Sequence, residues 1–168
     1  PPEAYAIEAI RKAYDYGCTH FDTAEAYGKE QFYAGHNEEL VGKAIEPFRK
    51  KVVLATKFHI GELPKPDGTN LYREVRRHLE DSMSRLRTDY IDLYQLHNIK
   101  SDADFELAFS AEGAVAAIQD AIRAGKVGHL GATAHSVDSF ERLLSYPEIE
   151  TIMFPYNIVE SQGEALME

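Results

Sequence analysis

With 168 residues, 44% of them hydrophobic and no apolar run long enough to span a membrane, the chain reads as one soluble globular domain over residues 1–168. Its 28 acidic side chains against 18 basic ones give a formal charge of −10, which repels a phosphate backbone, so nucleic acid is not an expected partner. A single cysteine, Cys18, excludes an internal disulfide framework and any CxxC metal or redox motif; with "PPEAYAIEAI" reading as an amphipathic helix rather than a secretory signal, a reducing cytoplasmic setting is expected.

Apolar residues recur at helical spacing from Ala6 to Tyr16, and Gly17 follows where a left-handed cap would sit. "CTHFDT" is short, β-branched and aromatic, hence a strand. A second helix begins at "HNEEL", with Asn37 as cap and Glu38 and Glu39 in the first turn, and ends before Pro47. The apolar run in "KVVLATK" predicts a strand buried on both faces. There follow a helix through Leu71, Val75, Leu79, Met83 and Leu86, the strand "YIDLYQLH", and a helix through Val115, Ile118 and Ile122 closed by Gly125. The strand "VGHLGATA", a helix capped by Ser136 through Phe140, Leu143 and Leu144, and the strand "ETIMFPY" complete the order.

Five strands alternating with five helices demand parallel strands joined by right-handed crossovers. An open doubly wound sheet and a closed (β/α)8 barrel both fit. The dinucleotide-binding glycine fingerprint of the open sheet is absent. Gly125, Gly128 and Gly131 have GxxGxxG spacing but lie between a helix end and a strand, where capping and close packing explain them.

At the carboxyl ends of consecutive strands stand Asp22, Lys57 and His97, with Tyr27 in the loop just past the first. Each alone has an ordinary explanation: a cap, a snorkelling lysine, a buried imidazole, a packing tyrosine. Together they point into the common space where barrel catalysts assemble. A free phenol titrates near 10, too weak an acid for rapid donation at neutral pH. An ammonium about 4 Å away contributes on the order of 4 kcal/mol at an effective dielectric of about 20, before screening, against about 1.4 kcal/mol per pKa unit. Asp22 would hold that lysine charged, leaving His97 to orient a substrate oxygen. The set suits protonation of an oxygen that becomes negative as hydride reaches its carbon. No HExxH spacing occurs, and His20, His36, His78 and His129 are scattered, so no metal site is expected.

The motifs "FDTAEAYG", "ATKF" and "DYIDLYQLHN" resemble the strand-end signatures of the aldo-keto reductase superfamily. "AGKVGHLGATAHS" is similar to its next helix-to-strand segment, and "GHNEELVGKAIEPFRKKVVLATK" to its second and third units. The resemblance covers essentially the whole chain and looks strongest to a prokaryotic predicted-oxidoreductase branch, through "GKVGHLGATAHS" and "MFPYNIVESQGE". It implies an α/β fold, a (β/α)8 TIM barrel incomplete in this chain at about five βα units, lacking the first strand and the last two. It also implies NAD(P)H-dependent reduction of an aldehyde or ketone, with NADP favoured over NAD and a tyrosine as general acid. By motif the catalytic tetrad falls on Asp22, Tyr27, Lys57 and His97. The branch commonly carries a cysteine-rich tail; with Cys18 alone, no iron–sulfur cluster is expected.

Where many members hold the nicotinamide carboxamide with a Ser-Asn pair and a later glutamine, this chain has Thr133 and Ala134, then Met153. Cofactor contacts are therefore expected from Asp22, Thr133, His135 and Asn157, the last two as replacements. The resemblance places the grip on the pyrophosphate and adenosine after the seventh and eighth strands, outside this sequence. Two alternatives stay open: a non-catalytic cofactor-binding or regulatory protein on the same barrel, and an inactive truncated fragment. The loop "HIGELPKPDGTN", with Pro64, Pro66 and Gly68, is either a cover for substrate or a structured connector.

Overall fold

In the computed structural model, which describes residues 2–62 and 71–167, five parallel strands are hydrogen-bonded in chain order. They are β1 (His20–Asp22), β2 (Val53–Phe58), β3 (Ile91–Leu96), β4 (Val127–Thr133) and β5 (Thr151–Met153). A doubly wound sheet reverses its order at a switch point; a sheet that never reverses keeps every right-handed crossover on one side and curls into a barrel wall. The result is a half-barrel. Pro64, Pro66 and Gly68 of the long loop lie outside the described residues.

Helices α1 (Glu3–Asp15), α2 (His36–Ile45), α3 (Leu71–Leu86), α4 (Asp102–Phe109), α5 (Ala114–Arg123) and α6 (Val137–Leu143) accompany the sheet. Strand register decides what faces them. Asp22 is level with Ala55, Lys57 with Gln95, Gln95 with Gly131, and Thr133 with Met153. Since side chains alternate, Asp22, Lys57, Gln95, Gly131 and Thr133 share the inner face, while Leu54, Thr56, Phe58, Tyr94 and Leu96 turn towards the helices. The outward set makes the core: Leu54, Phe58, Tyr94 and Leu96 are fully buried with Val75, Leu79 and Leu86 of α3. No helix of the described residues is long and apolar enough to cross a membrane.

Of the three spaced glycines, one caps a helix and two allow close packing. Gly125 (φ +71°) closes α5, its N–H on Ile122 O at 2.9 Å and that of Lys126 on Ala121 O at 3.0 Å, a left-handed cap. A side chain at Gly128 would run into Tyr90 and the Asp92 backbone, and one at Gly131 into Thr151 and Gln95.

Three local expectations need correction, and one at Pro47 holds. Asn37 is not the cap of α2. Gly35, at φ +89°, occupies that position, and Asn37 Oδ1 instead accepts from the Thr23 hydroxyl at 2.7 Å, fastening α2 to the end of β1. Helix α2 ends at Ile45, before Pro47 as expected, and Glu46–Lys51 follows as a 3-10 turn with the proline near its start, where a missing N–H costs nothing. Helix α4 was not anticipated; Ser101 and Asp104 build a capping box at its start. The last strand is confined to Thr151–Met153, and Leu144 lies beyond α6, exposed.

Candidate active site

Strand β1 stops at Asp22, yet the following residues stay laddered to β2. The Thr23 N–H donates to Ala55 O at 3.0 Å and the Glu25 N–H to Lys57 O at 3.1 Å. A turn closed by the Tyr27 N–H on Ala24 O (3.1 Å) then brings the phenol over Lys57.

Lys57 is 1% exposed. A buried ammonium is tolerated when each of its three N–H groups finds an acceptor. Three are present: the Asp22 carboxylate, the Thr23 carbonyl at 2.8 Å and the Tyr27 phenol oxygen at 3.3 Å. Because the phenol accepts from the lysine, its own O–H remains to donate elsewhere. Tyr27 is 40% exposed, so that hydrogen is accessible from the mouth of the half-barrel. The second carboxylate oxygen of Asp22 accepts from Gln95 Nε2 at 3.1 Å.

His97 begins just past β3, its N–H on Phe58 O at 2.9 Å. Its ring meets Tyr27 edge-on, with centroids 5.7 Å apart, and stacks on His59 at 4.1 Å. Asp22, Tyr27, Lys57 and His97 thus converge on one space. Tyr94, behind the sheet, is a different kind of tyrosine: burial first, then the nearby Glu25 and Glu38 carboxylates, push its phenol well above the usual value, so it stays neutral.

The residues expected to hold cofactor fare unequally. Thr133 is buried beside the site, and its hydroxyl accepts from the Asn98 N–H at 2.7 Å, leaving its hydrogen to donate. His135 is exposed and borders a surface cleft with Phe140, Phe154 and Gly163. Asn157 is occupied locally: its Oδ1 accepts from the N–H groups of Val159 (2.9 Å) and Glu160 (3.0 Å), and its Nδ2 donates to Glu160 at 2.7 Å. Met153 stands level with Thr133, partly exposed.

Sequence reasoning passed over Gln95, Asn98 and Glu25. Gln95 was recoverable, since it lies two residues before His97 and so on the same face of the strand. Asn98 adopts a left-handed backbone (φ +52°), and its buried Oδ1, like Gln95 Oε1, has no hydrogen-bond donor among the described residues. A buried acceptor in that condition is where a ligand N–H fits. Glu25 is buried inside the "FDTAEAYG" loop.

A family model described as the aldo/keto reductase family matches residues 1–168. The aldo-keto reductase YhdN of Bacillus subtilis is 36% identical over 169 residues, covering 96% of this chain and 46% of its own length. An aldo-keto reductase of Bacillus halodurans, solved in its holo form, superposes with a TM-score of 0.78 at 27% identity over 97% of this chain and 52% of its own. An aldo/keto reductase of Klebsiella pneumoniae, solved with NADP and acetate, does so with a TM-score of 0.74 at 28% identity, over 96% of this chain and 52% of its own. The chain spans about half the length of the relatives it matches.

Proposed function

The chain belongs to the aldo/keto reductase family, and on that premise we propose that the polypeptide carrying it is a NADP(H)-dependent oxidoreductase that reduces an aldehyde or ketone, with Tyr27 as the proton donor. The observation that carries this reading is the saturated lysine. Lys57 spends its three N–H groups on Asp22, Thr23 and Tyr27, which turns the phenol into an acceptor towards the lysine and a donor towards the mouth.

The residues at hand fit a nicotinamide ring. A carboxamide brings an amine in need of an acceptor and an oxygen in need of a donor, matching the unfilled Asn98 Oδ1 and the hydroxyl hydrogen of Thr133. When bound, the reduced nicotinamide supplies the hydride. The protein's share is the proton. Negative charge develops on the carbonyl oxygen as its carbon takes up hydride, and Tyr27 transfers its O–H proton to that oxygen. The phenolate left behind faces the Lys57 ammonium, which the Asp22–Gln95 pair keeps in place. His97, held edge-on to Tyr27 and stacked on His59, orients the carbonyl oxygen towards the phenol. Support for NADP(H) comes from the Klebsiella pneumoniae relative solved with NADP.

The test uses the whole polypeptide carrying this sequence, a panel of aldehydes, ketones and quinones, and nicotinamide absorbance as readout. Tyr27→Phe lowers turnover by about 10²–10⁴-fold, the range of a lost general acid, and leaves NADPH affinity near that of the wild type. Wild-type turnover in that variant contradicts the assignment.

A further inference from the structure

One buried charge has no part in the proton transfer. Glu25 lies 8% exposed in the loop that carries both Asp22 and Tyr27, where a carboxylate is costly unless it is held. It is held from two directions. From α3, His78 Nδ1 lies 2.7 Å from Glu25 Oε2, and the Arg85 guanidinium lies 4.0 Å from the same oxygen. These two residues are seven positions apart, two helical turns, and so share one face of α3. From the end of β2, the His59 N–H reaches Glu25 Oε1 at 3.4 Å.

The rest of the loop turns about this carboxylate. The Glu25 N–H is on the Lys57 carbonyl at 3.1 Å, and its carbonyl accepts from the Gly35 N–H at 2.6 Å, closing the segment that contains Tyr27. His59, whose backbone touches the carboxylate, is the residue whose ring stacks on His97 at 4.1 Å. Arg85 is itself anchored, its Nε donating to the buried Glu38 at 2.6 Å, so α3 presents a fixed cation rather than a mobile one.

We propose that Glu25 is a positioning residue for the reaction: it ties the Tyr27 loop and the His59–His97 stack to the same face of α3, and thereby sets the distance between the phenol and the Lys57 ammonium. The proposal rests on the reductase reading. It gives Glu25 no contact with substrate or cofactor and no proton to move. Its effect is on geometry, and a misplacement of about 1 Å at a reacting group can cost on the order of 100-fold in rate.

The experiment takes Glu25→Ala and Glu25→Gln in the whole polypeptide, beside Tyr27→Phe, and reads kcat, KM for NADPH, and amide hydrogen exchange at Tyr27 and Gly35. In Glu25→Ala, kcat falls about 10- to 100-fold with KM for NADPH changed only about two- to threefold, and exchange at both amides accelerates. Glu25→Gln keeps an acceptor for the His59 N–H but loses the ion pair, so it falls between the two. If the alanine variant does not fold, the glutamine variant carries the test. Wild-type kcat in the folded Glu25 variants, or a lower kcat with loop exchange unchanged, overturns the proposal. Turnover surviving in Tyr27→Phe contradicts the reductase reading, whereas turnover lost there and intact in the Glu25 variants contradicts the role of Glu25 alone.

Discussion

The Lys57 ammonium lies 3.3 Å from the Tyr27 phenol oxygen and donates to it, across 30 residues of chain. The pairing exists because parallel register brings the end of β2 beside the loop after β1. Lys57→Met keeps most of the side chain's volume and removes the charge. It lowers kcat by about 10²–10³-fold, as loss of a preorganised charge does, with little change in NADPH affinity. It also leaves Asp22, whose side chain is 26% exposed, without its cation; a stability loss of about 1–3 kcal/mol follows, read from urea unfolding.

Behind the sheet, Arg85 and Glu38 form a second ion pair, with Glu38 completely buried and also accepting from the Thr56 hydroxyl at 2.6 Å. Removing one partner strands the other. Arg85→Ala is expected to cost about 3–5 kcal/mol, and Arg85→Ala with Glu38→Ala less than the sum of the singles by about 1 kcal/mol or more. Additive losses would show that the pair is not coupled.

The start of α4 makes an acid-dependent contribution. Burial alone would raise the Asp104 carboxyl, but hydrogen bonds from Ser101 and Lys100 outweigh it and hold it below the ordinary aspartate value. A group depressed in the folded state stabilises above its unfolded value, about 3.9, and that contribution is lost as pH falls through the lower folded value. The gap in urea midpoint between wild type and Asp104→Asn is therefore present at neutral pH and closes below about 4. A gap that widens in acid would contradict the assignment.

The elements that positioned the site were legible because they rest on periodicity and on strand ends. Alternation predicted parallel strands, and their carboxyl ends singled out Asp22, Lys57 and His97, which the register brings to one space. What escaped was polar structure that sequence pattern treats as solvated. Glu38 read as a first-turn acid serving the dipole of α2, whereas it is buried against Arg85. The signal lay on α3, where His78, Ser82 and Arg85 recur at helical spacing along the flank of the buried stripe of Val75, Leu79 and Leu86. The cap of α2 falls on Gly35 rather than Asn37: Asn37 satisfies the composition rule but already lies within the helix, which starts at His36. Helix α4 was readable in principle from "SDAD", since Ser101 and Asp104 have capping-box spacing.

If hydride passes from the nicotinamide to the carbonyl carbon while Tyr27 delivers the proton, an isotope label follows the hydride into product. With NADPH deuterated at the transferred position, the whole polypeptide is predicted to place deuterium on the carbinol carbon of the product, and Tyr27→Phe to yield almost none in the same time. Carbinol formed without the label would exclude hydride transfer from the nicotinamide, and labelling at the wild-type rate by Tyr27→Phe would exclude Tyr27 as the proton donor.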